Sequence, residues 1–359
     1  MIDIARKIRH FAVHSSILWR NPGALPMVAR GYFNALALGR PVLRTVEFAV
    51  TAQCNVNCPM CYATKLVDRT REPLTPDEYA AIWAQARKLG AFSAHLSGGE
   101  PTMRKDLEQI IRALDPGRTI VSMTTNATLL SGPALEKLRK AGLSVLHFSL
   151  NSLDAEDNDR ERDFKGHLAR VVESIALAKG LGFEVCLSVV VSHSNLAMVE
   201  RLTRFAEEKG AGIVFSLATP AGNWDGAFDQ LLTPEDWARV DGFMAANPHV
   251  RSDWTINLSM RKGCPAGYEK VSVSPYGDVQ GCAMSFVAHG NLRDEPLADI
   301  WRRMLDFEPY RRRSPVCLIG LDRDFIDSYL APVNALDRLP VRVEDHPTRP
   351  LRAPGDRPA

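Results

Sequence analysis

The sequence lacks several features that would place it in a familiar class. No run of about 18 apolar residues, the minimum for a membrane-spanning helix, occurs among its 359 residues. Its 44 basic and 42 acidic residues leave a net charge of only +2, whereas nucleic-acid-binding proteins usually have a strongly basic domain. The first residues do not form a signal peptide, because Arg6, Lys7 and Arg9 interrupt the apolar positions. We therefore expect a cytoplasmic protein with no nucleic-acid partner, whose seven cysteines are metal ligands or core residues rather than disulfides.

Acidic residues are also nearly absent from residues 1–42, where Asp3 is the only one. Ile4, Ile8 and Phe11 recur there at helical spacing, which predicts an amphipathic helix with a basic polar face. Such a helix can lie on a membrane surface, so peripheral contact with the inner membrane surface is one interpretation. The other, which we favour, is that the apolar stripe packs against the rest of the protein.

Residues 43–220 alternate between strand-like and helix-like patterns. The six strand-like runs are Leu43–Val50, Ala91–Leu96, Thr119–Met123, Ser144–Leu150, Phe183–Val191 and Gly212–Leu217. One intervening helix has a clear start at Thr75, with Pro76 in its first turn and Glu78 placed to complete a capping box. Parallel strands need crossover connections, so the alternation predicts an α/β fold with a parallel sheet, either open or barrel-like.

The pattern changes in residues 221–335, which are expected to form a small cysteine-containing extension. A helix is predicted from Thr233, and residues 271–279 predict a hairpin with its turn near Gly277. The cysteines of this region are Cys264, Cys282 and Cys317. Residues 336–359 are rich in proline and arginine, and we expect them to be disordered.

Three further cysteines, Cys54, Cys58 and Cys61, lie within the eight residues CNVNCPMC that follow the first predicted strand. A [4Fe-4S] cluster normally takes four thiolates, so three would leave one iron free to bind a small chelating molecule. A structural zinc site is the alternative, but zinc would need a fourth ligand nearby. The three cysteines therefore favour a catalytic iron–sulfur cluster over a structural metal site.

The spacing C-x3-C-x2-C closely resembles the signature of the radical S-adenosylmethionine enzymes, and the resemblance covers about residues 43–220 and 260–320. It implies a partial (β/α)6 TIM-like barrel in which Cys54, Cys58 and Cys61 hold a [4Fe-4S] cluster. It also implies that S-adenosylmethionine binds the open iron and is cleaved to a 5′-deoxyadenosyl radical, which abstracts hydrogen from a C–H bond. Met60 stands where the family often has an aromatic residue beside the adenine.

Polar motifs also follow the next three predicted strands, at the end of a parallel barrel where active sites are built. Alone, these motifs would be ordinary turn residues. In the related family, the segment matching SGGEP binds the amino group of S-adenosylmethionine, and the fourth strand contributes ribose and carboxylate contacts. The resemblance therefore implies cofactor-binding roles for Gly98, Gly99, Glu100, Asn126, Ser149 and Asn151, with Arg160 and Arg170 as candidates for the carboxylate.

The extension resembles the SPASM and twitch domains, which carry auxiliary iron–sulfur clusters. The similarity includes Cys264, Gly277, Cys282 and the stretch from Gly290 to Trp301. It implies an auxiliary cluster, yet only three cysteines are present where such domains supply four or more. A non-cysteine ligand or the substrate could complete the site, the domain could have lost its cluster, or Cys186 could be the fourth ligand.

The related enzymes often modify ribosomal peptides or small metabolites, so we expect a C–H-modifying enzyme with a substrate of one of these classes. A flavodoxin or ferredoxin is the expected electron donor. Modification of a lipid or hydrophobic metabolite at the membrane surface is a second interpretation, motivated by residues 1–42. A structural iron–sulfur or zinc module is the non-enzyme alternative, but it would have no use for the SGGEP motif.

Overall fold

The computed structural model describes residues 17–348 except 19, 248, 253–257 and 259–261. The first part of the predicted amphipathic helix, with Ile4, Ile8 and Phe11, lies outside the described residues. Within the described ranges, no helix has both the length and the apolar character needed to cross a bilayer.

Six parallel strands, paired in the order in which they occur along the chain, form the centre of one mixed sheet. They are β1 (Thr45–Thr51), β2 (Ser93–Gly98), β3 (Ile120–Thr125), β4 (Val145–Ser149), β5 (Glu184–Val191) and β6 (Gly212–Leu217). These strands confirm the predicted α/β fold and the partial TIM-like barrel, whose sheet is not closed. Each lies within two residues of the boundaries predicted from the sequence.

The extension continues this sheet beyond β1 instead of forming a separate layer. Strand β8 (Lys270–Val273) pairs in parallel with β1, and β9 (Asp278–Gln280) forms the predicted hairpin with β8. β10 (Val287–Asn291) follows antiparallel to β9. At the other edge, β7 (Val250–Ser252) adds a parallel strand beside β6, which the sequence analysis did not anticipate.

One helix precedes β1, and the others follow the strands along the chain. Their bounds are α1 (Leu25–Leu36), α2 (Pro76–Lys88), α3 (Leu107–Ala113), α4 (Gly132–Ala141), α5 (Ala155–Arg162), α6 (His167–Gly180), α7 (Val199–Glu208), α8 (Pro234–Ala246) and α9 (Leu297–Asp306). Shorter helical segments are α10 (Glu308–Arg311), α11 (Arg323–Phe325) and α12 (Ala331–Asn334). The capping box at Thr75 is present, with the Thr75 hydroxyl accepting from the Glu78 amide and the Glu78 carboxylate accepting from the Thr75 amide.

Helix α1 covers the amino ends of the barrel strands. Ala24 and Val28 pack there in a cluster with Phe92 and Val145, residues at or near the starts of β2 and β4. Core packing therefore accounts for Ala24 and Val28, whereas Leu25, Phe33, Leu36 and Leu38 of the same segment are exposed, so the interpretation of residues 1–42 stays a prediction. Cys186 is fully buried in the same cluster, at the opposite end of the barrel from the other six cysteines.

Residues 336–348, which were expected to be disordered, are ordered in the structure. Val341 and Arg342 form an edge strand, β11, which pairs in parallel with β10. His346 is buried, its Nε2 lies 2.8 Å from the carbonyl oxygen of Tyr329, and its ring stacks on the Tyr329 ring at 4.4 Å. Composition does not predict this order, because only two strand residues and one buried ring hold the segment in place, and the rest of it has the composition of a disordered tail. The rest of the predicted tail lies outside the described residues.

Arg104 links three parts of the barrel, which makes its contribution to stability testable. Its guanidinium donates to the carbonyl oxygens of Val50 and Leu74, and its Nε lies 2.6 Å from Asp106 Oδ1. Arg104→Met should lower the free energy of unfolding by about 1–3 kcal/mol, because it removes a charged donor from two carbonyl groups. Urea denaturation measures the change.

The matched control is Arg302→Met. The Arg302 side chain is 69% exposed and pairs only with Asp299 one helical turn away. It should change stability by less than about 0.5 kcal/mol. Equal effects of the two substitutions would show that the Arg104 contacts contribute no more than a surface pair.

Candidate active site

One cavity at the carboxyl ends of the parallel strands contains most of the residues singled out from the sequence. It has a volume of about 570 Å³. The predicted site residues that line it are Cys54, Cys58, Met60, Cys61, Gly98, Gly99, Glu100, Asn126, Ser149, Cys264, Cys282 and Cys317. Both groups of three cysteines therefore face the same space, which the sequence alone could not establish.

Three predicted site residues lie outside this cavity. Asn151 is buried, but its side chain joins β4 to β5: Oδ1 accepts from the Val190 amide, 3.0 Å away, and Nδ2 donates to Glu161. Arg160 and Arg170 are on the surface, paired with Asp157 and Glu173 within their own helices. The structure therefore does not bring these three side chains to the other predicted residues.

The two glycines of SGGEP bring its loop into close contact with the chain just before Cys54. The Gly99 amide donates to the Thr51 carbonyl at 2.7 Å, and the Glu100 amide donates to the Gln53 carbonyl at 2.8 Å. A Cβ atom on Gly98 or Gly99 would lie about 2 Å from one of these carbonyl oxygens. The glycines are therefore required for packing between the two loops, beyond any approach to a ligand.

The Glu100 carboxylate fixes the same loop from the other side. It accepts hydrogen bonds from the amide and hydroxyl of Thr102, the hydroxyl of Thr125 and the amide of Asn126. Burial raises the pKa of Glu100, and these four donors oppose that shift. The carboxylate lies in the cavity wall, where its predicted contact with the amino group of S-adenosylmethionine stays a prediction.

Polar side chains also contact the sulfur atoms of the cysteine loop. Asn126 Nδ2 lies 3.8 Å from Cys54 Sγ, and Arg162 Nη1 lies 3.3 Å from Cys58 Sγ. Arg162 was not among the predicted site residues, because no helix was predicted over the strongly polar residues 155–162. Asp154, which caps α5 by accepting from the Asp157 amide, was the available signal.

The interior of the barrel below the cysteine loop is polar. His95 Nδ1 lies 2.8 Å from Ser122 Oγ, and His95 Nε2 lies 3.0 Å from Thr124 Oγ1. The His147 ring meets the His95 ring edge-on at 5.3 Å. These residues were also missed, although His95 alternates with Ser97 along β2 at the period of two that marks one face of a strand.

A buried ion pair connects the barrel to the extension inside this cavity. Lys270 Nζ on β8 lies 2.9 Å from Glu47 Oε2 on β1, and the Ser97 hydroxyl donates to Glu47 Oε1 at 2.9 Å. The Lys270 and Glu47 side chains are only 15% and 12% exposed. No local pattern could reveal this pair, because the two residues meet only through the pairing of β1 with β8.

The cysteines have the character expected of cluster ligands. Burial raises the pKa of Cys54 and Cys61, raises that of Cys282 to about 12 and raises that of Cys317 well above its usual range. Without metal these thiols are neutral at pH 7, so iron binding must displace their protons. An all-thiol donor set suits an iron–sulfur cluster.

No group of three His, Cys, Asp or Glu side chains that could hold a single metal ion occurs among the residues of the described ranges. This finding is compatible with a cubane cluster, because each thiolate then binds a different iron atom.

Comparison with known proteins agrees with the fold and the site. Residues 48–206 match the radical SAM superfamily, and residues 264–318 match SPASM, an iron–sulfur cluster-binding domain. These two matches confirm the predicted radical SAM core and SPASM extension. The chain is an enzyme, and the matches imply its cofactors: a [4Fe-4S] cluster and S-adenosylmethionine for the radical SAM core, and auxiliary iron–sulfur for the SPASM domain.

Individual proteins share at most 28% sequence identity with this chain in the three comparisons that follow. The chain is 28% identical over 311 residues to the AdoMet-dependent heme synthase of Methanosarcina barkeri (strain Fusaro / DSM 804), covering 76% of this chain and 88% of that protein. It is 28% identical over 276 residues to the PqqA peptide cyclase of Gluconobacter oxydans (strain 621H), covering 73% and 77%. Streptococcus suis SuiB, solved bound to the precursor peptide SuiA, has a similar fold, with a TM-score of 0.58, 18% identity and coverage of 76% and 68%.

Arg162 and Arg160 form a matched pair for testing the site. Arg162→Gln should decrease the yield of 5′-deoxyadenosine from S-adenosylmethionine and dithionite by about ten-fold or more, because it removes the charged donor to Cys58. Arg160→Gln, two residues away on the exposed face of α5, should stay within about two-fold of the wild type. Iron content, measured in parallel, separates loss of the cluster from loss of reactivity. If Arg160→Gln instead lowered the yield more than Arg162→Gln, the result would support Arg160 as the carboxylate-binding residue predicted from the sequence.

Proposed function

We propose that this enzyme abstracts a hydrogen atom from a C–H bond of a peptide or small-metabolite substrate held between two iron–sulfur sites. The observation that carries the proposal is that both cysteine triads line one cavity with a polar interior. A volume of about 570 Å³ suits a small molecule or a short peptide segment and is too small for a folded domain.

At the mouth of the barrel, the residues around Cys54, Cys58 and Cys61 bind and orient the cofactors. When bound, the cluster and S-adenosylmethionine together supply a 5′-deoxyadenosyl radical. Gly98, Gly99 and Glu100 would hold the amino group of S-adenosylmethionine, and the other predicted contacts to it are Met60, Asn126 and Ser149. Arg162 would stabilise the negative charge of the cluster through Cys58.

Deeper in the cavity, Glu47, Lys270 and His95 would bind polar groups of the substrate. Burying two charges costs free energy, which their attraction only partly offsets. A buried ion pair that faces a cavity, such as that of Glu47 and Lys270, is therefore a candidate for binding a substrate. Two relatives support a peptide substrate: the PqqA peptide cyclase, and SuiB in its complex with a precursor peptide. The heme synthase supports a small metabolite. A flavodoxin or ferredoxin remains the proposed electron donor.

Modification of a lipid at a membrane surface stays the alternative. In the described part of residues 1–42, Val28 packs against the barrel, whereas Leu25, Phe33, Leu36 and Leu38 are exposed. Packing against the barrel therefore accounts for only some of the apolar residues of this segment.

Hydrogen transfer from the substrate provides the direct test. The reconstituted enzyme, S-adenosylmethionine and dithionite are incubated with an extract of cells grown in deuterium oxide. Mass spectrometry should then find deuterium in 5′-deoxyadenosine, because the abstracted atom comes from the substrate. Protease treatment of the extract should abolish the transfer for a peptide substrate and leave it intact for a metabolite. The Cys54/Cys58/Cys61→Ala variant is the control, and cleavage without any deuterium transfer would count against the proposal.

Lys270→Met tests the inner part of the cavity in the same assay. It should lower the deuterated fraction of 5′-deoxyadenosine about ten-fold, because it removes a substrate contact and the positive charge that pairs with Glu47. Lys140→Met is the control, since Lys140 is 76% exposed on α4. Equal deuterated fractions in Lys270→Met and the wild type would exclude the ion pair from substrate binding.

A further inference from the structure

The auxiliary site is one protein ligand short, since Cys264, Cys282 and Cys317 can hold only three of the four irons in a cubane cluster. Cys186 cannot complete the site, because it is buried at the other end of the barrel. Among the described residues, Glu47 is already engaged by Lys270 and Ser97. Ser285 donates its hydroxyl proton to the Cys282 carbonyl oxygen at 2.8 Å.

Tyr310 on α10 differs from these residues. It lines the cavity and is only 2% exposed, yet its hydroxyl group makes no hydrogen bond to any described residue. Ser285 lies nearby, but the two hydroxyls do not meet in hydrogen-bonding geometry. A buried hydroxyl without a partner is unfavourable, so a native structure that keeps one usually has a use for it.

Two glycines of the extension leave room for the Tyr310 ring. A Cβ atom on Gly267 would lie 2.0 Å from the ring, and one on Gly281 would lie 2.4 Å from the hydroxyl oxygen. Gly281 directly precedes Cys282, so the hydroxyl lies beside that cysteine.

We propose that the phenol oxygen of Tyr310 is the fourth protein ligand of the auxiliary cluster. Binding breaks the O–H bond, forms an iron–oxygen bond and releases the proton to solvent, with no change in oxidation state. The cluster would then be closed, so it could transfer electrons but could not bind the substrate directly. This assignment requires the auxiliary cluster and does not depend on the proposed reaction.

The test uses the full-length Cys54/Cys58/Cys61→Ala variant, which removes the core cluster and its open iron. The protein is reconstituted anaerobically with iron and sulfide and reduced with dithionite, and its EPR spectrum is recorded with and without cyanide as the probe. With Tyr310 present, cyanide should leave the spectrum unchanged. Adding Tyr310→Phe should open one iron, so cyanide should shift the g-values.

Tyr329→Phe is the matched control, because Tyr329 is also buried with an unpartnered hydroxyl but does not line the cavity. It should behave like the parent. Three results would overturn the assignment: a cyanide response in the parent, no response after Tyr310→Phe, or absence of iron from the parent. Should Tyr310→Phe fail to assemble a cluster, resonance Raman spectra of the parent decide, because an iron-bound phenolate adds ring vibrations and a free phenol does not.

Discussion

The close contact between two backbone segments, SGGEP and the residues just before Cys54, is the constraint on which the site depends. Thr51 and Gln53 accept hydrogen bonds from the amides of Gly99 and Glu100 at a separation that leaves no room for a side chain. The end of β1 is thereby fixed to the end of β2, and the cysteine loop that follows begins from a defined point. Glu100 then extends the same connection to the end of β3 through Thr125 and Asn126.

Burial and polar contacts act in opposite directions on the cysteines of the cavity. Burial makes the free thiols poor acids, so they become good ligands only when iron replaces their protons. Arg162 places a positive charge against Cys58, and Asn126 places an amide dipole near Cys54. These contacts stabilise thiolates that burial would otherwise disfavour.

The sequence predicts the parts of this protein that depend on local patterns. The six strands, the capping box at Thr75 and the hairpin near Gly277 are local features, and each is present. Residues such as Lys270 and Tyr310 belong to the cavity only because distant segments meet there. Arg160 shows why local pattern is not sufficient. It lies on α5, the helix that contributes to the site, but a helical turn has about 3.6 residues, so Arg160 and Arg162 face different directions and only Arg162 lines the cavity.

The parallel pairing of β8 with β1 has a consequence for how this enzyme can be altered. Thr45 is aligned with Lys270 and Phe48 with Val273, so the extension belongs to the barrel wall and not to a module on a linker. The separation of the two cysteine triads is therefore fixed by sheet register, and no hinge between β1 and β8 can adjust it. A chimera with the extension of another enzyme must preserve that register, because a shift of one residue would turn Lys270 away from Glu47 and change the alignment of both triads.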